Sequence, residues 1–263
     1  MRPDKRLGQN FLIDPVALQR VVQAAGISAM DRVLEIGPGL GSLTRYLASM
    51  ARKVTAVELD RRLIAPLREV LAPFTNVDIV EGDILKVDLA KLLLEPGYLV
   101  VANIPYYITS AVIRHLLEAR QRPKQMVLTI QREVADRICA GPGDMSLLAL
   151  SVQVYGQPQI AAHIPAGAFY PAPTVDSAVV RVDVYDAPRI PAPALEAFFR
   201  LAKAGFSQKR KNLRNSLSGG LAWPVAQVEQ LLAEGGIDAK RRAETLSIDE
   251  WGKLAGLAAE RLS

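Results

Sequence analysis

An α/β fold with a mostly parallel sheet, followed by a small all-helical C-terminal domain, is what the sequence predicts, on three observations. Short apolar runs alternate with helical patterns up to about residue 185. The first of these runs ends in a glycine loop that opens a helix. Asp186-Ala187-Pro188-Arg189-Ile190-Pro191-Ala192-Pro193 then breaks the alternation, and only helical periodicity follows.

The elements follow in order. Asp14-Pro15 pairs an N-cap with a first-turn proline and predicts a helix through about Ala25. Arg32 to Ile36 reads as a strand, with a helix from about Ser42. Lys53 to Glu58 is a second strand, and a helix covers about Arg61 to Leu71. Val77 to Glu81 is a third strand. Tyr98 to Ala102 is a fourth, ending at Asn103, and Met126 to Ile130 a fifth, with a helix from about Arg132. Residues 145 to 164 mix apolar positions too evenly to separate helix from strand. Val179 to Tyr185 alternates like an antiparallel edge strand. The expected domains are 1–186, including an N-terminal segment 1–13, a linker 187–193, and helices over 194–263 with glycine turns at Gly219-Gly220 and Gly235-Gly236.

With 263 residues, half of them hydrophobic, the chain can bury a substantial core. Its net charge of +5 permits a polyanionic partner without demanding one. Cys139 is the sole cysteine, which excludes an internal disulfide, and the two histidines lie far apart, so no metal site is expected. No run approaches the roughly 18 apolar residues of a membrane span, and no signal peptide is legible. A soluble, cytoplasmic monomer is expected.

The chemistry is carried by strand ends. Glu35-Ile36-Gly37-Pro38-Gly39-Leu40-Gly41 follows a strand and opens a helix, which brings backbone amides close to a ligand. Ser42 stands where the dinucleotide fingerprint requires its last glycine, which weakens that reading. Glu58, ending the second strand, can accept from ribose hydroxyls. Asp83, just past the third, can accept from an adenine amine, although acidic strand ends also serve as plain helix caps. At the fourth strand end, Asn103-Ile104-Pro105-Tyr106 supplies an acceptor side chain, a carbonyl, a fixed φ and an aromatic face. Two acceptors on an exocyclic amine localise its lone pair, and behind a nucleoside loop this reads as methyl transfer to the nitrogen of a base.

These motifs, together with Gly8-Gln9-Asn10-Phe11-Leu12, Phe169 to Ser177 and Phe206 to Leu217, resemble the rRNA adenine N6-dimethyltransferases. The Phe206 to Leu217 stretch is similar to that of the bacterial small-subunit branch. The likeness spans about residues 5 to 250 and implies a Rossmann-like class I methyltransferase domain with a small helical domain. It implies S-adenosyl-L-methionine as the methyl donor. The implied partner is 16S rRNA within a small-subunit precursor, dimethylated at two adjacent adenines in the 3′-terminal hairpin loop. By the resemblance, Asn10 and Leu12 lie over the cofactor, Gly37 at its amino-acid part, Glu58 on its ribose and Asp83 on its adenine, with Gly39 also among the cofactor-binding residues. Asn103 sits between cofactor and target, and Tyr106 and Phe169 sandwich the base. The sequence departs from the usual pattern at Met145-Ser146 and at Thr174.

Two other readings stay open: an Erm-type enzyme acting on 23S rRNA, and a non-catalytic RNA-binding assembly factor. The Phe169 to Ser177 loop and the Lys209 to Leu217 stretch favour the 16S reading over the Erm-type one, and the intact Asn103 to Tyr106 clamp argues against a non-catalytic factor. The expected RNA contacts are Lys5, Arg6, Lys203, Lys209, Arg210, Lys211 and Arg214, whereas Lys240-Arg241-Arg242 reads equally well as a solvated helix face. Neutralising Lys209, Arg210 and Lys211 together is expected to weaken rRNA binding and to flatten the plot of log affinity against log salt by roughly 0.7 per lost phosphate contact. A slope unchanged in titrations between low and moderate salt contradicts the assignment.

Overall fold

The computed structural model describes residues 3–4, 7–93 and 96–262, and divides into two compact units: Met1–Ala135 with Gln157–Val184, and Asp136–Gly156 with Tyr185–Ser263. In the first unit, β1 (Phe11–Leu12) precedes α1 (Pro15–Ala25), β2 (Arg32–Ile36), α2 (Ser42–Met50), β3 (Lys53–Glu58), α3 (Arg61–Leu71), β4 (Val77–Glu81), α4 (Leu89–Leu93), β5 (Leu99–Asn103), α5 (Thr109–Leu117) and β6 (Gln125–Gln131). After α6 (Arg132–Ile138) and α7 (Leu147–Gln153) come β7 (Gly156–Ile164), β8 (Phe169–Tyr170) and β9 (Ser177–Val184). The second unit adds α8 (Ala192–Gly205), α9 (Leu213–Leu221), α10 (Val225–Gly235) and α11 (Ile248–Leu262).

The main sheet has seven strands in the order β4-β3-β2-β5-β6-β9-β7. β2 pairs in parallel with β3 and β5, β3 with β4 and β5 with β6, while β9 runs antiparallel to β6. Strands buried on both faces read as near-continuous apolar runs, and Val33, Leu34, Val54, Val100 and Val101 are almost wholly buried. Asp14 caps α1, its carboxylate accepting the Ala17 N–H, and Pro15 occupies the first turn.

Three expectations are corrected and one open stretch is resolved. β9 is antiparallel as expected but is not the edge, because β7 lies outside it. The ambiguous stretch 145–164 resolves into α7 and β7. Ser146 caps α7 by accepting the Ala149 N–H at 3.1 Å, and burial of β7 then alternates along the strand. The proline-rich stretch is not irregular throughout: α8 starts at Ala192 with Pro193 in its first turn, where a missing N–H costs nothing. Gly219 and Gly220 form no turn and lie inside α9, where a Cβ on Gly220 would stand 2.6 Å from the Ala204 Cα of α8. That pair of glycines serves close helix packing. Gly236, by contrast, does end α10 in the left-handed conformation.

Gly220→Val is expected to destabilise the fold by roughly 1–3 kcal/mol through overpacking against backbone. Gly256→Ala, in α11 with open space around the added carbon, is expected to stabilise by about 0.5–1 kcal/mol. Urea unfolding of both variants checks the pair, and equal effects contradict the packing account.

Candidate active site

From β2 the chain proceeds outward through β3 and β4, and β5 returns on the other side of β2. Loops leaving β2 and β5 therefore diverge, opening a crevice at the carboxyl edge of the sheet. A cleft of about 690 Å³, mouth included, occupies it. Gly37, Gly39, Glu58, Asp83 and Asn103 line it from four strand ends, with Leu7, Gly8, Gln9 and Phe11 from the N-terminal segment.

The glycine loop is built for close approach. Gly37 and Gly39 both have positive φ, 68° and 60°. A Cβ on Gly39 would stand 2.8 Å from the Phe11 ring, so only glycine lets that ring lie on the loop. Glu58 is 5% exposed and uses one oxygen on the Gly39 N–H (3.0 Å) and the other on the Asp60 N–H (2.8 Å). A carboxylate has about four acceptor positions, so capacity remains for ligand hydroxyls. Burial raises its pKa, against the pull of those amides. Asp83 accepts the Leu85 N–H at 3.0 Å and approaches Lys86 at 3.6 Å, so it caps its own turn while lining the cleft.

Glu35 is the residue to which sequence reasoning gave no role. It is 1% exposed beneath the loop, and its Oε2 has no hydrogen-bond partner. Burial, with the Glu58 charge adding to it, pushes its carboxyl up to about 8. It lines a small recess together with Gly37, Ser42 and Asn103. The signal available in the sequence was an acid inside an otherwise apolar strand. An orphaned acid here, close enough to Glu58 to feel its charge, with Asp83 further along the cleft, fits a cationic nucleoside carrying ribose hydroxyls and an amine.

Asn103 ends β5. Its Nδ2 donates to the Asn10 carbonyl at 2.9 Å. A carbonyl can only accept, so this bond fixes which way the amide is turned and leaves Oδ1 as its acceptor. Ile104 is buried with its N–H on the Thr129 carbonyl, and Pro105 holds φ at −55°. The Tyr106 hydroxyl is 2.7 Å from Ser177 Oγ, and burial raises its pKa. Tyr106 does not line the cofactor-sized cleft, whereas the neighbouring Tyr107, 60% exposed, does.

The other expected site residues are distributed unevenly. Leu12 is buried and borders the recess beside Glu35, and Asn10 contributes its carbonyl. Phe169 is 3% exposed in the hydrophobic core, paired through β8 with Leu12 of β1, while Tyr170 next to it is exposed. Lys5 and Arg6 lie outside the described residues. In the second unit Lys203, Lys209, Arg210 and Lys211 are exposed, whereas Arg214 is ion-paired to Glu229 at 3.0 Å. Arg241 forms a two-pronged pair with Glu250 and donates to the Thr245 carbonyl, so that member of the 240–242 run is structural. Burial pushes the Cys139 thiol up to about 11, far from a thiolate nucleophile. Among the described residues no helix is long and apolar enough to cross a membrane.

A family model described as ribosomal RNA adenine dimethylase matches residues 2–260. A ribosomal RNA small subunit methyltransferase A from Dehalococcoides mccartyi is 46% identical over 255 residues, covering 97% of this chain and 88% of its own. Among solved structures, a dimethyladenosine transferase from Plasmodium falciparum superposes with a TM-score of 0.82 at 26% identity, covering 95% of this chain and 98% of that one. The 23S rRNA methyltransferase ErmE gives 0.76 at 30% identity, covering 94% and 98%.

The elevated Glu35 carboxyl has a signed consequence. Unfolded it titrates near 4.5 and folded near 8, so between those values the folded chain keeps a proton that the unfolded chain has lost. Its stability is fully present below pH 4.5 and is lost as pH rises through about 8. Glu35→Gln removes that loss, and its stability relative to wild type is expected to improve by roughly 3–5 kcal/mol between pH 5 and pH 8.5. A difference that stays flat across that range, in denaturant titrations, contradicts the placement of this acid.

Proposed function

The chain belongs to the ribosomal RNA adenine dimethylase family and is an S-adenosylmethionine-dependent rRNA adenine methyltransferase; on that premise we propose that it dimethylates N6 of two adjacent adenines in the 3′-terminal hairpin loop of 16S rRNA, within a small-subunit precursor in the cytoplasm. The observation that carries the reading is the orientation of Asn103. With its nitrogen committed to the Asn10 carbonyl, Oδ1 accepts one hydrogen of the target amine, and the Ile104 carbonyl accepts the other. Two acceptors turn the nitrogen lone pair out of conjugation with the ring and toward the donor methyl. Pro105 keeps the carbonyl direction fixed.

When bound, S-adenosylmethionine supplies an electrophilic methyl on a sulfonium. The residues that fit it are Glu58 for the ribose, Asp83 for the adenine, the Gly37–Gly39 amides and Glu35 toward its charged end, with Asn10 and Leu12 above. In each transfer a nitrogen–carbon bond forms as the sulfur–carbon bond breaks. The methylated nitrogen is then acidic and loses its proton without a strong base. Tyr106, tethered by Ser177, offers its ring to the flipped adenine, which is easier to extrude from a loop than from a duplex. Phe169 completes the stack only if its ring leaves the core. Lys203, Lys209, Arg210, Lys211 and Arg214, with Lys5 and Arg6, track phosphates.

Labelled S-adenosylmethionine and small subunits lacking these modifications test the proposal. N6,N6-dimethyladenosine in the 16S 3′-terminal hairpin is the expected product by nucleoside mass analysis. Label in 23S rRNA instead would support the Erm-type reading that the likeness to ErmE keeps in view. No label in either RNA would support a binding-only factor.

A further inference from the structure

Asn10 is aimed at Asn103 by a segment that lines the cleft and is fastened at both ends. One fastening is the two-residue ladder of β1 with β8, Phe11 opposite Tyr170 and Leu12 opposite Phe169. The other is a side-chain pair. Gln9 Nε2 donates to Asp60 Oδ2 at 2.8 Å, and Gln9 Oε1 accepts the Asp4 N–H at 2.7 Å. Both ends of the Gln9 amide are thus used, so it cannot turn over without leaving an N–H facing an N–H.

Asp60 is a rigid anchor. It is 6% exposed and begins α3, its Oδ1 taking the Arg62 N–H at 3.1 Å while the Arg62 guanidinium covers both oxygens. Its own N–H donates to Glu58, the residue proposed to hold the ribose. The Arg62 hydrogen bond holds its carboxyl down to about 2, so the acceptor stays charged throughout the neutral range. Between the fastenings the chain turns at Gly8, which has φ +60°, with the Tyr107 ring against it, and Asn10 Nδ2 closes the turn on the Gly8 carbonyl at 3.3 Å.

We propose that Gln9 and Asp60 form a clasp that positions the Asn103 amide for methyl transfer, acting through the Asn10 carbonyl and touching neither base nor methyl group. With the clasp open, that side keeps only the Asp4–Arg62 contact at 3.4 Å and the Tyr107 ring against Gly8, and the Asn10 carbonyl selects the donor face of Asn103 less firmly. Because Asp60 also bonds to Glu58, the clasp ties the aiming of the amine acceptor to the wall of the cofactor cleft. The inference rests on the transferase reading above, since it assigns Asn103 Oδ1 to the target amine.

A reciprocal swap tests it. Gln9→Glu sets two carboxylates against each other, and Asp60→Asn sets two amide nitrogens together, keeping an oxygen for the Arg62 N–H while giving up the guanidinium bond to Oδ2. The double variant Q9E/D60N restores a donor, now on residue 60, to an acceptor, now on residue 9. Gln9→Met removes both bonds without adding charge. On hairpin RNA each single variant is expected to lose about ten- to hundredfold in kcat, with a smaller change in KM, and the double to return within a few-fold of wild type. Amide hydrogen exchange over residues 7–12 is read in parallel and needs no activity. It is expected to accelerate in each single variant and to recover in the double. Single variants with wild-type kcat and exchange, or a double whose losses simply multiply, overturn the clasp. If wild type itself transfers no methyl group, the reaction assignment falls, while the exchange data still decide the clasp.

Discussion

In the proposed reaction everything turns on one hydrogen bond, from the Asn103 amide nitrogen to the Asn10 carbonyl. An asparagine side chain is ambivalent, with a donor on one side and an acceptor on the other, and a target amine needs the acceptor. The protein resolves the choice with a backbone carbonyl, which no rotation can turn into a donor. The net strength of such a bond is only about 1 kcal/mol. The alternative amide orientation, however, would face oxygen to oxygen in a part-buried place, and the difference between the two orientations is correspondingly larger. On the proposed reading, everything that locates Asn10 therefore bears on reactivity. The β1–β8 ladder fixes Phe11 and Leu12, the Phe11 ring lies on Gly39, and β5 fixes Asn103 by its register with β6.

The electrostatics of the crevice point the same way. Glu35 and Glu58 are buried, and Asp83 shares the cleft lining with Glu58. Burial raises both carboxyls, that of Glu35 to about 8, while the Gly39 and Asp60 amides pull against the rise at Glu58. A sulfonium nucleoside with an ammonium group supplies the opposite charge, and once its methyl group is given up the product is less positive by one charge. If these acids hold the donor as proposed, they favour the reacting form over the spent one, which would assist exchange of cofactor between successive transfers.

Much of the main sheet was legible because its strands are buried on both faces and each ends on a chemically marked residue. Glu58, Asp83 and Asn103 stand at or just past successive strand ends, and a parallel sheet has no choice but to gather them at one edge. What was not legible depended on contacts remote in sequence. β7 alternates only weakly and is recognisable as a strand only once β9 lies beside it. Gly219-Gly220 has the composition of a turn, and nothing in the local chain reveals that Ala204 presses on it. Arg241 sits in a basic run, yet Glu250 claims it. Glu35, Gln9 and Asp60 were overlooked for the same reason: their meaning lies in burial and pairing. Phe169 belongs to the core in this conformation, so its expected place on the target base is not visible in the resting fold.

Replacing Asn103 by aspartate tests the central claim most directly, because it keeps size and the outward acceptor while removing the inward donor. The measurement is single-turnover methyl transfer to the hairpin RNA, with S-adenosylmethionine affinity determined on the same protein. The account predicts a loss of about a hundredfold or more in the transfer rate, since an oxygen then opposes the Asn10 carbonyl. Transfer within a few-fold of wild type would contradict it, for the amide orientation would then be irrelevant to the chemistry.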